Sequence, residues 1–236
     1  MPENLLIPSV DLRIGGLEEY NRRQHLNATS KTQKKKPRPV ITLSREFGCE
    51  GYPVAEKLCE LMSERTGDTW ILIDNAILEE VARNHNISED ILHHLGENNR
   101  ILDEVMATFS PQWKTDRDHF QLLCSYIISL AEQGNVIIVE LGGSIITRHI
   151  EHSYHFRIYA SDTFKAATLA RRLSLPVEEA EKMMHRQQKK RDRFTLEFLS
   201  QNDHDPGLYD LLFNNDRCLP EKIVRTIADY THHENR

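Results

Sequence analysis

From residue 40 onward, short apolar runs alternate with longer stretches in which apolar residues recur every three or four positions. Val40–Leu43 reads as a buried strand, and in the helix predicted over 51–66 Val54, Ala55, Leu58, Leu61 and Met62 fall on one face. Trp70–Ile73 predicts a second strand ending at Asp74 and Asn75, and Ile77–Arg83 continues as a helix. Ser88 before Glu89-Asp90 has the form of a capped helix start, and 95–115 reads as helix and then loop around Ser110-Pro111. Asp116–Gln133 is a strong helix stopped by Gly134-Asn135, and Val136–Val139 is the most strand-like run in the chain. His155–Ala160 predicts a strand, Asp162–Leu173 a helix, and Pro176 opens a charged helix to about Leu199. A turn at Asp205-Pro206-Gly207, a strand over Tyr209–Phe213 and a helix over Glu221–Tyr230 close the pattern.

Strands alternating with helices predict an α/β fold, a mostly parallel sheet covered on both faces. Ligands of such sheets bind beyond the carboxyl ends of the strands. Here those ends carry Ser44-Arg45, Asp74-Asn75, Glu140–Gly143, Ser161-Asp162 and Asn214-Asn215. Residues 1–38 read differently, as a flexible leader with turn residues Gly15-Gly16, a short helix around Leu17–His25 and a basic end, Lys34-Lys35-Lys36-Pro37-Arg38-Pro39.

Charge divides along the same line: the leader is net +4 and the rest of the chain net −10, for −6 overall. An acidic body argues against a dedicated nucleic-acid binder, and the lysine run reads as a solvated linker. No apolar run approaches the ~20 residues of a membrane span, and no basic start followed by an apolar stretch suggests a secretory signal. Four cysteines without a CxxC pair suit reduced thiols, so a cytoplasmic protein is expected.

Chemistry concentrates first at Ser44-Arg45-Glu46-Phe47-Gly48-Cys49-Glu50-Gly51-Tyr52-Pro53. Strand, glycine turn and helix are the layout of a phosphate-binding loop, but GxxxxGK[ST] is not matched: Gly51 and Tyr52 stand where the lysine and hydroxyl belong. What remains is physical: two turn-permitting glycines, a helix N-terminus with unpaired N–H groups, and Arg45 as a replacement cation. Taken alone, these residues fit an ordinary strand-to-helix turn equally well.

The stretch Ile41–Leu58 resembles the first motif of the cytidylate-kinase-like family, whose usual loop, Ser-Arg-Glu-Phe-Gly-Ser-Gly-Gly, also lacks the lysine. Trp70–Val81 resembles the family's second strand, its aspartate and the helix after it; Gln188–Phe213 resembles its arginine-bearing lid, Asp-Pro turn and Tyr-Asp strand. The likeness covers about residues 39–232, and 39–236 is expected to form the domain. It implies a P-loop NTPase-type three-layer fold with a helical lid, and phosphoryl transfer from ATP-Mg²⁺ to a small nucleotide such as CMP. Ser44, Arg45, Gly48, Cys49, Glu50 and Gly51 would hold the donor phosphates, and Asp74 would orient the acceptor.

On the charged helix Lys182, Arg186, Lys189, Lys190 and Arg193 share one face, with Arg191 roughly opposite. Arg186, Arg191 and Arg193 are the lid candidates, because guanidinium binds phosphate through two parallel hydrogen bonds. Two departures from the family stand out. Relatives commonly carry Gly-Arg-Gly-Gly where this chain has Glu140-Leu141-Gly142-Gly143, so an arginine that anchors the acceptor is replaced by Leu141. Pro53 also removes one N–H from the loop. The alternative reading is therefore a regulatory protein that binds a nucleotide or anion without turnover. His149, His152 and His155 need not share a face, and no metal site is expected; Asp203-His204-Asp205 reads as a turn.

Overall fold

The computed structural model describes residues 10–29, 38–83, 91 and 116–233. Its strands are β1 (Val40–Arg45), β2 (Ile71–Ile73), β3 (Val136–Val139), β4 (Ser153–Tyr159) and β5 (Leu211–Asn214). They form one sheet in the order β2-β3-β1-β4-β5, with every pairing parallel. The helices are α1 (Val10–Thr29), α2 (Gly51–Thr66), α3 (Asn75–Arg83), α4 (Asp116–Gln133), α5 (Gly143–Ile146), α6 (Asp162–Leu173), α7 (Val177–Leu199) and α8 (Pro220–His233).

Because successive strand residues point to opposite faces, near-continuous apolar strands supply two cores at once. Val40, Ile71, Ile73, Val136 and Ile138 pack under α1, α3, α4 and α5. Ile41, Leu43, Leu72, Ile137, Val139, Phe156 and Ile158 pack under α2 and α8. The result is the three-layer α/β architecture expected of a P-loop NTPase-type fold. After β1 the chain builds β2 and β3 on one side and then crosses to build β4 and β5 on the other. That reversal makes the carboxyl end of β1 the topological switch point, where this class of sheet opens a crevice. A third cluster joins Phe47, just beyond β1, to Leu169 and Leu173 of α6 and Ala180 and Met184 of α7. The α6–α7 hairpin thus packs directly on the loop.

The predicted helices over 51–66, 116–133 and 162–173 and the strand over 136–139 form with those bounds. Other ends move by one to three residues: β1 continues to Arg45, β4 starts at Ser153 and α8 reaches His233. The short helix expected around Leu17–His25 forms as part of a longer one over residues 10–29, with Gly15 and Gly16 inside it rather than in a turn. Two interior glycines cost about 1 kcal/mol each, so packing must hold the helix. Leu17 and Tyr20 supply it, buried in the main core. The expected helix start at Ser88, the 95–115 segment and the lysine run lie outside the described residues. Among the described residues no helix is long and apolar enough to cross a membrane.

Candidate functional site

A cavity of about 490 Å³ opens at the switch point, walled by the ends of β1, β2 and β3 and by the inner face of α7. Ser44, Arg45, Asp74 and Glu140 reach it from the sheet, and Lys190 and Arg191 from α7.

Arg45 is the last residue of β1, and its side chain folds under the N-terminus of α2. A Cβ added at Gly51 would lie 2.1 Å from Arg45 Cδ, so only glycine admits the arginine there. The guanidinium is 7% exposed, with Cζ 5.1 Å from the centre of the Tyr52 ring. Its Nε has no hydrogen-bond partner, and Glu140 Oε1 stands 3.8 Å away. A buried cation at the positive end of a helix is an unfavourable juxtaposition unless an anion joins it. The helix makes the same demand, since Glu50 at its N-cap forms no side-chain cap for the N–H groups of the first turn.

Other N–H groups of the loop already have partners. Phe47 N donates to Gln188 Oε1 of α7 at 2.7 Å, Cys49 N to the Glu46 carbonyl at 3.1 Å and Glu50 N to Asn215 Oδ1 at 2.9 Å. Gly51 and Tyr52, in the first turn of α2, have no acceptor within the helix. Gly48 adopts φ +104°, and a Cβ there would lie 2.7 Å from Lys165 Cβ. Lys165 bridges Glu46 at 2.7 Å and Asp162 at 2.9 Å. Burial lowers its pKa, but these two carboxylates outweigh that and hold it above its usual value. Of the expected loop residues, Cys49 faces the α2 core instead of the cavity, and burial pushes its thiol up to about 12. Glu50 points toward Arg171, 3.8 Å away.

Beyond β3 the chain makes a left-handed turn, with φ of +67° at Glu140, +60° at Leu141 and +66° at Gly142. Two non-glycine residues in this region store about 1–3 kcal/mol each, a strain that compensating contacts must support. Glu140 provides them. Oε1 accepts from Arg45 N at 3.0 Å, and Oε2 pairs with Arg191 Nη1 at 3.1 Å. One carboxylate thus ties strand to lid across the cavity.

Asp74 is 2% exposed on the opposite wall. Its Oδ2 accepts from the Tyr52 hydroxyl at 2.7 Å, and Oδ1 accepts from Ile77 N at 3.1 Å, which caps α3. Burial and the Asp74 carboxylate both push the Tyr52 phenol well above its usual value, so it stays a donor. Asp74 Oδ1 also pairs with Arg13 Nη1 of α1 at 3.0 Å.

On α7 the structure reverses the expected facing. Arg191 turns inward, 5.0 Å above the Phe47 ring, with Nη1 donating to the Arg45 carbonyl at 3.3 Å. Arg186 is exposed, and Arg193 is exposed and paired with Glu197 at 2.5 Å; neither lines the cavity. The buried stripe of α7 runs through Ala180, Met184, Thr195 and Leu199, and Arg191 sits four residues before Thr195 on that stripe. The apolar periodicity, rather than the run of cations, carried that signal. Burial pulls the Arg191 guanidinium down, Glu140 opposes this, and Arg45 pulls it further down, leaving it below its usual value.

Asp203 lies in the expected turn and also reaches the cavity wall. Its carboxylate holds buried Arg157 at 2.7 Å and accepts from the Tyr209 hydroxyl at 2.5 Å. Asp205 N closes the turn on the Asn202 carbonyl at 3.0 Å, and Asp205 Oδ1 accepts from Gly207 N at 2.9 Å. His149, His152 and His155 do not converge: His155 Nδ1 bonds Thr42 Oγ1 at 2.8 Å, while His149 meets Arg148 at 2.8 Å. Among the described residues no group of three metal-ligating side chains comes together.

A crystal structure of an uncharacterized protein from Eubacterium ventriosum resembles the chain with a TM-score of 0.65 and 19% identity, over 84% of this chain and 99% of that one. Shikimate kinase from Bacteroides thetaiotaomicron aligns at 13% identity over 82% of this chain and 98% of that one, with a TM-score of 0.42. No curated protein matches the chain. The model of the cytidylate kinase-like family matches residues 40–217, from the first residue of β1 to just past β5, and the chain belongs to that family.

Proposed function

We propose that this protein is a phosphotransferase of the nucleotide-kinase type, passing the terminal phosphoryl group of ATP to a small acceptor such as CMP. The observation that carries this reading is Arg45, a buried guanidinium at the N-terminus of α2 whose Nε lacks a hydrogen-bond partner on the wall of a 490 Å³ cavity. A phosphate would supply the missing acceptor, using the Gly51 and Tyr52 N–H groups as well. Arg191 and Lys190, on the inner face of α7, would meet the charge that spreads over the phosphoryl oxygens during transfer. Asp74, fixed by Tyr52 and the start of α3, would orient the acceptor. An acceptor oxygen would form the new bond to phosphorus as the bond to the ADP oxygen breaks, so the chain's own work is positioning and charge stabilisation.

The described residues do not fit a resident metal: Asp74, Asp203 and Glu140 on the cavity wall are each held by an arginine. Mg²⁺ therefore belongs to the substrate, carried by the nucleotide phosphates. A second reading, nucleotide or anion binding without turnover, is favoured by Glu140, whose carboxylate lies between the two arginines that would bind phosphate. A thermal-shift screen of nucleotides with Mg²⁺, followed by ADP-release assays, separates the two. Stabilisation by ATP together with ADP release supports the kinase, and stabilisation without release supports the binding protein. If no nucleoside phosphate stabilises the protein at millimolar concentration, both readings fail in their nucleotide form.

A further inference from the structure

Helix α1 ends at Thr29, eleven residues before the family match begins at residue 40, yet it sends a charged side chain to the site. Arg13 Nη1 lies 3.0 Å from Asp74 Oδ1, and the two side chains are 11% and 2% exposed. The docking behind this contact is extensive. Leu17 and Tyr20 are buried in the core that also holds Ile73 of β2 and Ile77 of α3, and the Tyr20 hydroxyl donates to the Gly134 carbonyl. Arg13, Leu17 and Tyr20 stand at i, i+4 and i+7, so one face of α1 carries both the packing residues and the cation.

The partners of Asp74 are divided between its two oxygens. Oδ1 takes the Ile77 N–H and faces Arg13, while Oδ2 takes the Tyr52 hydroxyl. A carboxylate offers about four acceptor positions, so one on Oδ2 is left for a substrate hydroxyl. Across the cavity Leu141, also on its wall, can offer an acceptor no charge.

We infer that Arg13 is a positioning residue for the acceptor side of the site: α1 completes the family domain by fixing Asp74 in the orientation an acceptor meets. The inference rests on the phosphotransferase reading above. An ion pair between two buried side chains that served only stability would affect folding and leave the acceptor untouched, so acceptor kinetics decide between them.

The test uses the full-length protein and its Arg13→Ala, Arg13→Lys, Asp74→Asn and Arg13→Ala/Asp74→Asn variants. ADP release is followed with ATP-Mg²⁺ and each of CMP, UMP, AMP and GMP. Arg13→Ala is expected to raise the acceptor KM about tenfold while the ATP KM stays within about twofold, the size of a single coupled contact. Arg13→Lys should recover most of the loss, and Arg13→Ala should add less than about twofold in the Asp74→Asn background. Unchanged acceptor KM, equal effects on both substrates, or full additivity with Asp74→Asn would overturn the inference and leave the kinase reading standing. If Arg13→Ala does not fold, Arg13→Gln replaces it with the same criteria. If the wild type shows no ADP release, the kinase reading fails, and the same variants are compared by equilibrium CMP binding. There, a selective loss in Arg13→Ala supports the positioning role, and absence of binding by the wild type overturns it.

Discussion

Glu140 Oε2 and Arg191 Nη1 stand 3.1 Å apart, joining the strained turn after β3 to the inner face of α7. The same carboxylate approaches Arg45, so it takes the position of an internal anion between two cations. Replacing it by the neutral amide, Glu140→Gln, should have opposed effects. Without ligand the variant should be less stable by about 1–3 kcal/mol, because two guanidinium groups lose their counter-charge at a partly exposed carboxylate. With ATP-Mg²⁺ it should gain more stability than the wild type does. Thermal unfolding with and without the nucleotide reads both, and a smaller ligand-induced shift in the variant would show that Glu140 assists binding instead of competing with it.

Tyr52 is the strut between loop and acceptor side, donating to Asp74 at 2.7 Å inside the protein. Tyr52→Phe keeps the ring under Arg45 and removes only the hydroxyl. A hydrogen bond to a charged group contributes about 1.5–3 kcal/mol, so urea unfolding should show a loss of that order with an unchanged m-value. A loss below about 0.5 kcal/mol would mean that Arg13 and the Ile77 N–H hold Asp74 unaided.

Gly48 is held at φ +104° with Lys165 directly against it. Gly48→Ala introduces a methyl group 2.7 Å from Lys165 Cβ in a backbone conformation that L side chains rarely adopt. The expected result is a destabilisation of about 1–3 kcal/mol and a loss of nucleotide-induced stabilisation, both read by thermal shift. A fully stable variant would place the strain elsewhere in the loop.

How much of this could be read from the chain follows from the range of the interactions. Helices such as 51–66 and 162–173 and the strand 136–139 are set by local periodicity, so their bounds were legible to the residue. In the leader the local pattern predicts only a short helix around Leu17–His25, because Gly15 and Gly16 look like a turn, and the burial of Leu17 and Tyr20 in the core extends the helix through them. On α7 the conspicuous cations Arg186 and Arg193 point to solvent, because facing is fixed by the buried stripe through Met184 and Thr195. The links from Arg13 to Asp74 and from Asp203 to Arg157 join residues far apart in sequence and leave no local pattern. The loop was legible by layout, but the capture of its N–H groups by Gln188 and Asn215 was not.

His155 gives a stability signature away from the site. Burial lowers its pKa from 6.5, and the Asp210 carboxylate offsets this only in part. A depressed pKa means that the unfolded chain binds the proton more readily. The neutral ring's contribution is therefore complete above about 6.5 and is lost as pH falls below it toward the folded-state value. Urea unfolding between pH 7.5 and 5 should show stability falling with a slope that His155→Gln reduces. An identical slope in the variant would assign the pH dependence to other groups.

The central claim is that Arg45 supplies the cation of a lysine-free phosphate site. Its most direct test is ATP-Mg²⁺ binding by calorimetry to the wild type, Arg45→Ala and Arg45→Lys, each checked for folding by circular dichroism. The account predicts saturable binding to the wild type, a loss of about tenfold or more in Arg45→Ala, and partial recovery in Arg45→Lys. Equal affinity for all three folded proteins would contradict it.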